Sequence, residues 1–211
     1  MTSRNLPAWQ YRTGRSPRAT EVRKLLNTFL IVCEGSKTEV AYFEMFGSRA
    51  DVRVHGGMGQ WEECVRAAIK IRDEDPDAFD QVWCVFDRDI VYNAARPKDK
   101  FQSALDIAKA NGIKVAYSID SFELWYVLHY NYHTTQTNRH EYCEMLTRLT
   151  GKEYDKADPT LFHTLKERLP DAIKNAKKLH VGEFDGRHHF DNDPSTTVYL
   201  LVTELIKNQI K

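Results

Sequence analysis

Apolar residues along this chain follow two patterns. Thr28-Phe29-Leu30-Ile31-Val32-Cys33 and Val82-Trp83-Cys84-Val85-Phe86 are short unbroken runs, rich in β-branched and aromatic residues. Such runs predict strands buried on both faces, the usual state of central strands in a parallel sheet. Elsewhere apolar residues recur every three or four positions, the period of an amphipathic helix. Ala41, Tyr42, Met45 and Phe46 predict a helix up to Gly47, and Trp61, Cys64, Val65, Ala68 and Ile69 predict one from Trp61 to Glu74, stopped by Asp75-Pro76-Asp77. Lys98 to Asn111 carries Phe101, Leu105, Ile107 and Ala108 at helical spacing before Gly112. Two shorter strands complete the pattern, Val52-Arg53-Val54 before Gly56-Gly57 and Lys114 to Tyr117. Strands alternating with helices of this length predict an α/β domain built of βαβ crossovers around a mainly parallel sheet.

Phe122 to Tyr130 reads as a helix with Leu124, Trp125, Val127 and Leu128 in the core and Asp120-Ser121 as its cap. From Asn131 onward the periodicity is helical only: Tyr142, Met145, Leu146 and Leu149, then Leu161 to Leu179 with Pro170 kinking or dividing it, then Thr196 to Ile210. The pattern predicts three parts: a basic arm over 1–26, an α/β domain over 27–130 and a helical C-terminal extension over 131–211 packed on it. The arm carries Arg4, Arg12, Arg15, Arg18, Arg23 and Lys24 against Glu21 alone, with Pro7, Gly14 and Pro17 among them. That composition suits a flexible solvated arm, or one that touches nucleic acid or a partner, with Trp9 and Tyr11 available for stacking.

Composition narrows the function classes. The 211 residues can bury a real core, and 42% hydrophobic with 28% charged residues is ordinary for a soluble globular chain. No run approaches the roughly 18 apolar residues of a membrane span, and no signal-peptide region opens the chain. Cys33, Cys64, Cys84 and Cys143 show no Cys-x-x-Cys spacing, and two of them fall in buried strands. A reducing, cytoplasmic location is expected. Thirty basic and thirty acidic residues give zero formal net charge. That balance counts against a protein that coats nucleic acid by bulk electrostatics, and any such binding must be local.

The candidate chemistry lies where the two long strands break. The second ends in Asp87-Arg88-Asp89, and the first in Glu34-Gly35-Ser36-Lys37-Thr38-Glu39. Ligands of open α/β sheets sit beyond the carboxyl ends of the strands, so both acidic ends face the expected site. Two close carboxylates repel unless a cation lies between them, and Mg²⁺ or Mn²⁺ resolves that repulsion through one or two carboxylates. Gly35 permits a tight turn, and Ser36 or Thr38 is a candidate cap for a helix beginning near Glu39. Glu123 is a candidate third acid, competing with a simple helix-dipole role. The Val181 to Pro194 stretch, with His180, His188, His189, Asp185, Asp191 and Asp193, fits no compact zinc spacing and is read as a polar loop. Arg187, His188 or His189 could still reach the acidic site from that loop.

A glutamate after one strand and Asp-x-Asp after a later one resembles the metal site of the Toprim domain of topoisomerases, primases and OLD-type nucleases. The flanks sharpen the likeness. Leu30 to Glu39 with Tyr42-Phe43, Val82 to Asp89, Ser121 to Trp125 with Leu128-His129-Tyr130, and Asn192 to Val198 with Leu201-Val202 resemble, in order, four motifs of the RloB family of bacterial Toprim-like proteins. Asp193 departs from the pattern, in which Asn abuts the Pro-Ser-Thr. The resemblance implies a Toprim-like fold and a Mg²⁺-dependent nuclease of anti-phage abortive infection, often encoded beside an ABC-type ATPase. It implies Glu34, Asp87 and Asp89 as metal ligands, and Glu39 and Glu123 as candidates for a second ion or for water orientation. Lys37 or Arg88 would offset charge on the pentavalent phosphorus. The rival expectation is a non-catalytic interaction or regulatory module bound to a partner ATPase, which the neutral net charge suits. DNA against RNA, including tRNA, the number of ions and any homo-oligomer are left open, because no base-reading motif is present.

Overall fold

The computed structural model describes residues 27–47, 51–88, 98–156, 158–182 and 193–209. The expected basic arm, Asp89 and most of the His/Asp-rich stretch lie outside the described residues.

Four strands form one parallel sheet in the order β2-β1-β3-β4, with β1 Thr28–Cys33, β2 Asp51–His55, β3 Gln81–Arg88 and β4 Lys114–Ile119. The parallel sheet flanked by helices that the apolar pattern predicts is the observed architecture. Side chains of β1 and β3 alternate between two separate apolar layers, as the two-residue period of a strand requires. Leu30, Val32, Val82, Cys84 and Phe86 pack with Trp61, Cys64, Val65 and Ala68 of α2 (Trp61–Glu74) and with Phe101, Ala104 and Ala108 of α3 (Lys98–Ala110). Phe29, Ile31, Cys33, Trp83 and Val85 face the other way. There they meet α1 (Thr38–Glu44), α4 (Glu123–Leu128), α5 (Arg139–Thr150), α6 (Pro159–Glu167), α7 (Leu169–Gly182) and α8 (Val198–Gln209).

The C-terminal helices therefore complete the core of the sheet's second face. At their centre is α4, in which all six residues of Glu-Leu-Trp-Tyr-Val-Leu are buried. A helix buried all round belongs inside its domain, and each fully buried large apolar side chain contributes about 1.5–3 kcal/mol. Pro170 divides the long C-terminal periodic stretch, since α6 ends at Glu167 and α7 begins at Leu169. At that position its missing N–H belongs to the first helical turn and breaks no intrahelical bond.

Three local expectations need correction. Neither Ser36 nor Thr38 caps α1: Lys37 takes the N-cap position, without a side-chain bond. Asp120-Ser121 does not cap α4, whose N-cap is Phe122. Asp120 instead adopts a left-handed turn at φ 63°, and its backbone N–H bonds Arg88 O at 3.2 Å. That same pairing extends β4 two residues past the expected Tyr117. Thr196 forms an antiparallel bridge with Ser118 and does not start the last helix, which begins at Val198.

A cleft at the carboxyl ends of the first and third strands

From β1 the chain crosses to β2 on one side, then returns to β3 on the other. Adjacent parallel strands whose onward connections diverge leave a crevice beyond their carboxyl ends. Here that crevice is a cleft of about 350 Å³ lined by Glu34, Gly35, Ser36, Lys37, Thr38, Glu39, Asp87, Phe122, Glu123, Arg139 and Lys156. Of the five acids and one lysine named from sequence, Glu34, Glu39, Asp87, Glu123 and Lys37 line this one cleft. The sixth, Asp89, lies outside the described residues.

Register brings the acids together. Cys33 pairs with Val85, and Glu34 N donates to Val85 O at 2.9 Å. The Glu34 carboxylate accepts from Asp87 N at 3.3 Å, tying the two strand ends to each other. From the opposite face of the sheet, Trp61 Nε1 donates to Asp87 O at 2.7 Å and fixes the end of β3. Gly35 lets the turn close over the site: a Cβ there would lie 2.5 Å from Glu39 Oε2. Tyr126 donates to Thr38 O at 3.1 Å, which anchors the start of α1 to α4.

Three of the cleft carboxylates are buried. Glu39 is 6% exposed, Asp87 7% and Glu123 2%. Burial, followed by the negative charge of Glu39, holds the Asp87 carboxyl well above the usual carboxylate range, although Arg139 pulls the other way. Glu39 is raised too, first by burial and then, less strongly, by Glu123. Compensation comes from basic groups. Arg139 Nη2 donates to Asp87 Oδ2 at 2.9 Å, and its Nε lies 3.8 Å from Glu123 Oε2. Lys156 Nζ is 3.6 Å from Glu123 Oε1, to which the Tyr154 hydroxyl donates at 3.3 Å. Lys37 stands exposed on the lining.

Arg88 is placed elsewhere. One residue along β3 from Asp87, it points to the opposite face, where it is buried with its guanidinium 5.6 Å over the Phe101 ring. The two-residue period of the strand thus removes it from a role at the cleft.

A hard divalent cation suits the donor type in the cleft, since every acidic lining group offers carboxylate oxygen. Among the described residues Asp87 Oδ1 is buried with no hydrogen-bond partner, an acceptor left for a cation or a water. Among the described residues, however, no three His, Cys, Asp or Glu side chains come close enough together to hold an ion unaided. Glu34 and Asp87 would offer such an ion carboxylate oxygen from two adjacent strand ends.

Arg139, Lys156, Tyr154 and Trp61 were not legible as site residues. Arg139 lies 52 positions from Asp87 and opens a helix whose pattern marks only its apolar face. No local signal identifies it; its role depends on how α5 docks.

Comparison with curated proteins and with solved structures gives no match. The family profile described as RloB-like protein matches residues 29–205, spanning both strand-end acids, α4 and the segment that pairs with β4. The chain belongs to the RloB-like family.

Proposed function

We propose that this protein is a metal-dependent nuclease that hydrolyses phosphodiester bonds of DNA or RNA, tRNA included, in bacterial anti-phage defence. One observation carries the chemical part: Glu34, Glu39, Asp87 and Glu123 line a single cleft at the carboxyl ends of two adjacent parallel strands, together with Arg139, Lys156 and Lys37. The defence role rests on the family resemblance alone. Glu34 and Asp87, with Asp89, would hold Mg²⁺ or Mn²⁺. Such an ion, when bound, supplies Lewis-acid stabilisation of charge on the phosphoryl group and a water of lowered pKa. Lys37, exposed on the lining, is free to meet a phosphate oxygen and to offset negative charge as the transition state forms. Glu39 and Glu123 would orient water or share a second ion. Trp61, holding the Asp87 carbonyl, keeps the ligand backbone in position.

A second reading is a non-catalytic module that binds a partner ABC-type ATPase. It is favoured by the pairing of Asp87 with Arg139 and by the absence of a ready three-group metal cluster among the described residues. Both readings meet one experiment. Purified protein and its Asp87→Ala variant are incubated with labelled single- and double-stranded DNA and with total tRNA, in Mg²⁺, Mn²⁺ or EDTA. Cleavage that needs the metal and disappears in the variant supports the nuclease and names its substrate. No cleavage in any lane, with ATPase capture unchanged by the substitution, supports the module.

A further inference from the structure

We propose that Arg139 is a built-in counter-cation of the cleft, occupying the Asp87 carboxylate until a divalent ion displaces it. The inference rests on the metal-site reading above and extends it to a residue that no motif identifies.

Its position in α5 is the first argument. Arg139 is the first residue of that helix, after the Asn138 cap that accepts from Glu141 N. A cation there sits at the positive end of the helix dipole, where it is unfavourable for the helix itself. The guanidinium is compensated across the cleft, by Asp87 Oδ2 at 2.9 Å and by Glu123 at 3.8 Å. Lys156 lies on the Glu123 side, 3.6 Å from that carboxylate.

The geometry of Asp87 is the second. Its Oδ1 is buried without a hydrogen-bond partner among the described residues, while Oδ2 accepts from Arg139. One carboxylate cannot serve a guanidinium at full strength and also be a primary ligand of a divalent ion, because each neutralises the charge that attracts the other. The Arg139 side chain is 41% exposed, so it can swing towards solvent without opening the core.

Calorimetric titration with Mn²⁺ tests this on wild type and on the Arg139→Gln, Arg139→Lys, Lys156→Gln and Asp87→Asn variants, with circular dichroism as a check on folding. Arg139→Gln is expected to bind Mn²⁺ about tenfold more tightly, the equivalent of about 1.4 kcal/mol. Arg139→Lys, which keeps the charge and loses the planar fork, should fall between the two. Lys156→Gln should change affinity less than Arg139→Gln, since Lys156 pairs with Glu123. Unchanged or weaker Mn²⁺ binding in a folded Arg139→Gln protein overturns the proposal. The Asp87→Asn arm separates the two readings. If it abolishes binding, a failure of Arg139→Gln to tighten it counts against the counter-cation alone; if it leaves binding intact, the metal site itself has been misplaced. Mn²⁺-induced thermal stabilisation provides an independent readout, because a tighter ligand raises the melting point more at equal concentration.

Discussion

Acid should destabilise this fold through a single buried histidine. His129 follows α4 with no solvent exposure, its ring packed edge-on against Trp125 at 5.0 Å and Tyr42 at 6.2 Å. Nδ1–H donates to Trp125 O at 2.8 Å, while the buried Nε2 has no hydrogen-bond partner among the described residues. A second proton would place a charge there with nothing to solvate it. Burial, opposed by the Trp125 bond and assisted by the positive charge of Arg168, lowers its pKa from 6.5 to about 4. The folded state thus binds this proton less tightly than the unfolded chain. The contribution to stability is intact above pH 6.5 and is lost as the pH falls from 6.5 through about 4. Linkage puts the loss at roughly 2 kcal/mol by about pH 5 and about 3 kcal/mol well below pH 4. Asp87 and Glu39 act in the opposite sense: their raised carboxyls favour the folded state as they protonate. Comparison with His129→Phe isolates the histidine. The variant gives up one hydrogen bond, about 1 kcal/mol at every pH, and nothing that titrates. Urea unfolding of both proteins at about pH 7.5 and about pH 5 should show a pH-dependent loss smaller by roughly 2 kcal/mol in the variant. Equal losses in the two proteins would mean that His129 is not held neutral, and the packing described here for α4 would be wrong.

Three further outcomes are expected. Asp87→Asn, assayed by urea unfolding in EDTA at neutral pH, should stabilise the metal-free fold by about 0.5–2 kcal/mol, because a carboxyl raised above its ordinary range is costly when ionised; a lower midpoint would show that the Arg139 pair outweighs burial. Gly56→Ala should destabilise by about 1–3 kcal/mol in thermal melts, because its Cβ would lie 2.4 Å from Val40 Cγ2 and 2.8 Å from Gly35 O, a carbonyl already held by Gly57 N–H at 3.1 Å. An unchanged melt would mean that the turn after β1 yields easily. Of the four cysteines, only Cys143 should react promptly with a thiol reagent in the native protein, since Cys33, Cys64 and Cys84 are buried; prompt reaction of more than one would contradict the close packing on both faces of the sheet.

The sequence by itself determined the sheet and the acidic end of it. Runs such as Phe29 to Cys33 and Val82 to Phe86 are apolar on both faces, and only a strand covered on two sides can bury them. Each breaks abruptly into carboxylates, which cannot continue into a core and so mark the strand ends. Glu34, Asp87 and Asp89 are therefore legible as a set in the sequence, with Glu39 and Glu123 as candidates beside them. The helix starts were read less well, because capping by Ser36 or Asp120 competes with what each residue meets in the fold. For Asp120 that is a strained turn beside β3, and at the start of α1 the N-cap position falls to Lys37. Tertiary structure alone decided which side chains neutralise the cleft. Local pattern records a residue's own face and period, and Arg88, adjacent to Asp87 in sequence, is carried to the far side of the sheet by that period. Arg139 and Lys156 reach the acids only because α5 and the loop after it fold back over the ends of the strands. Long-range electrostatic pairing of this kind depends on docking, a property of the whole chain that no short stretch of it contains.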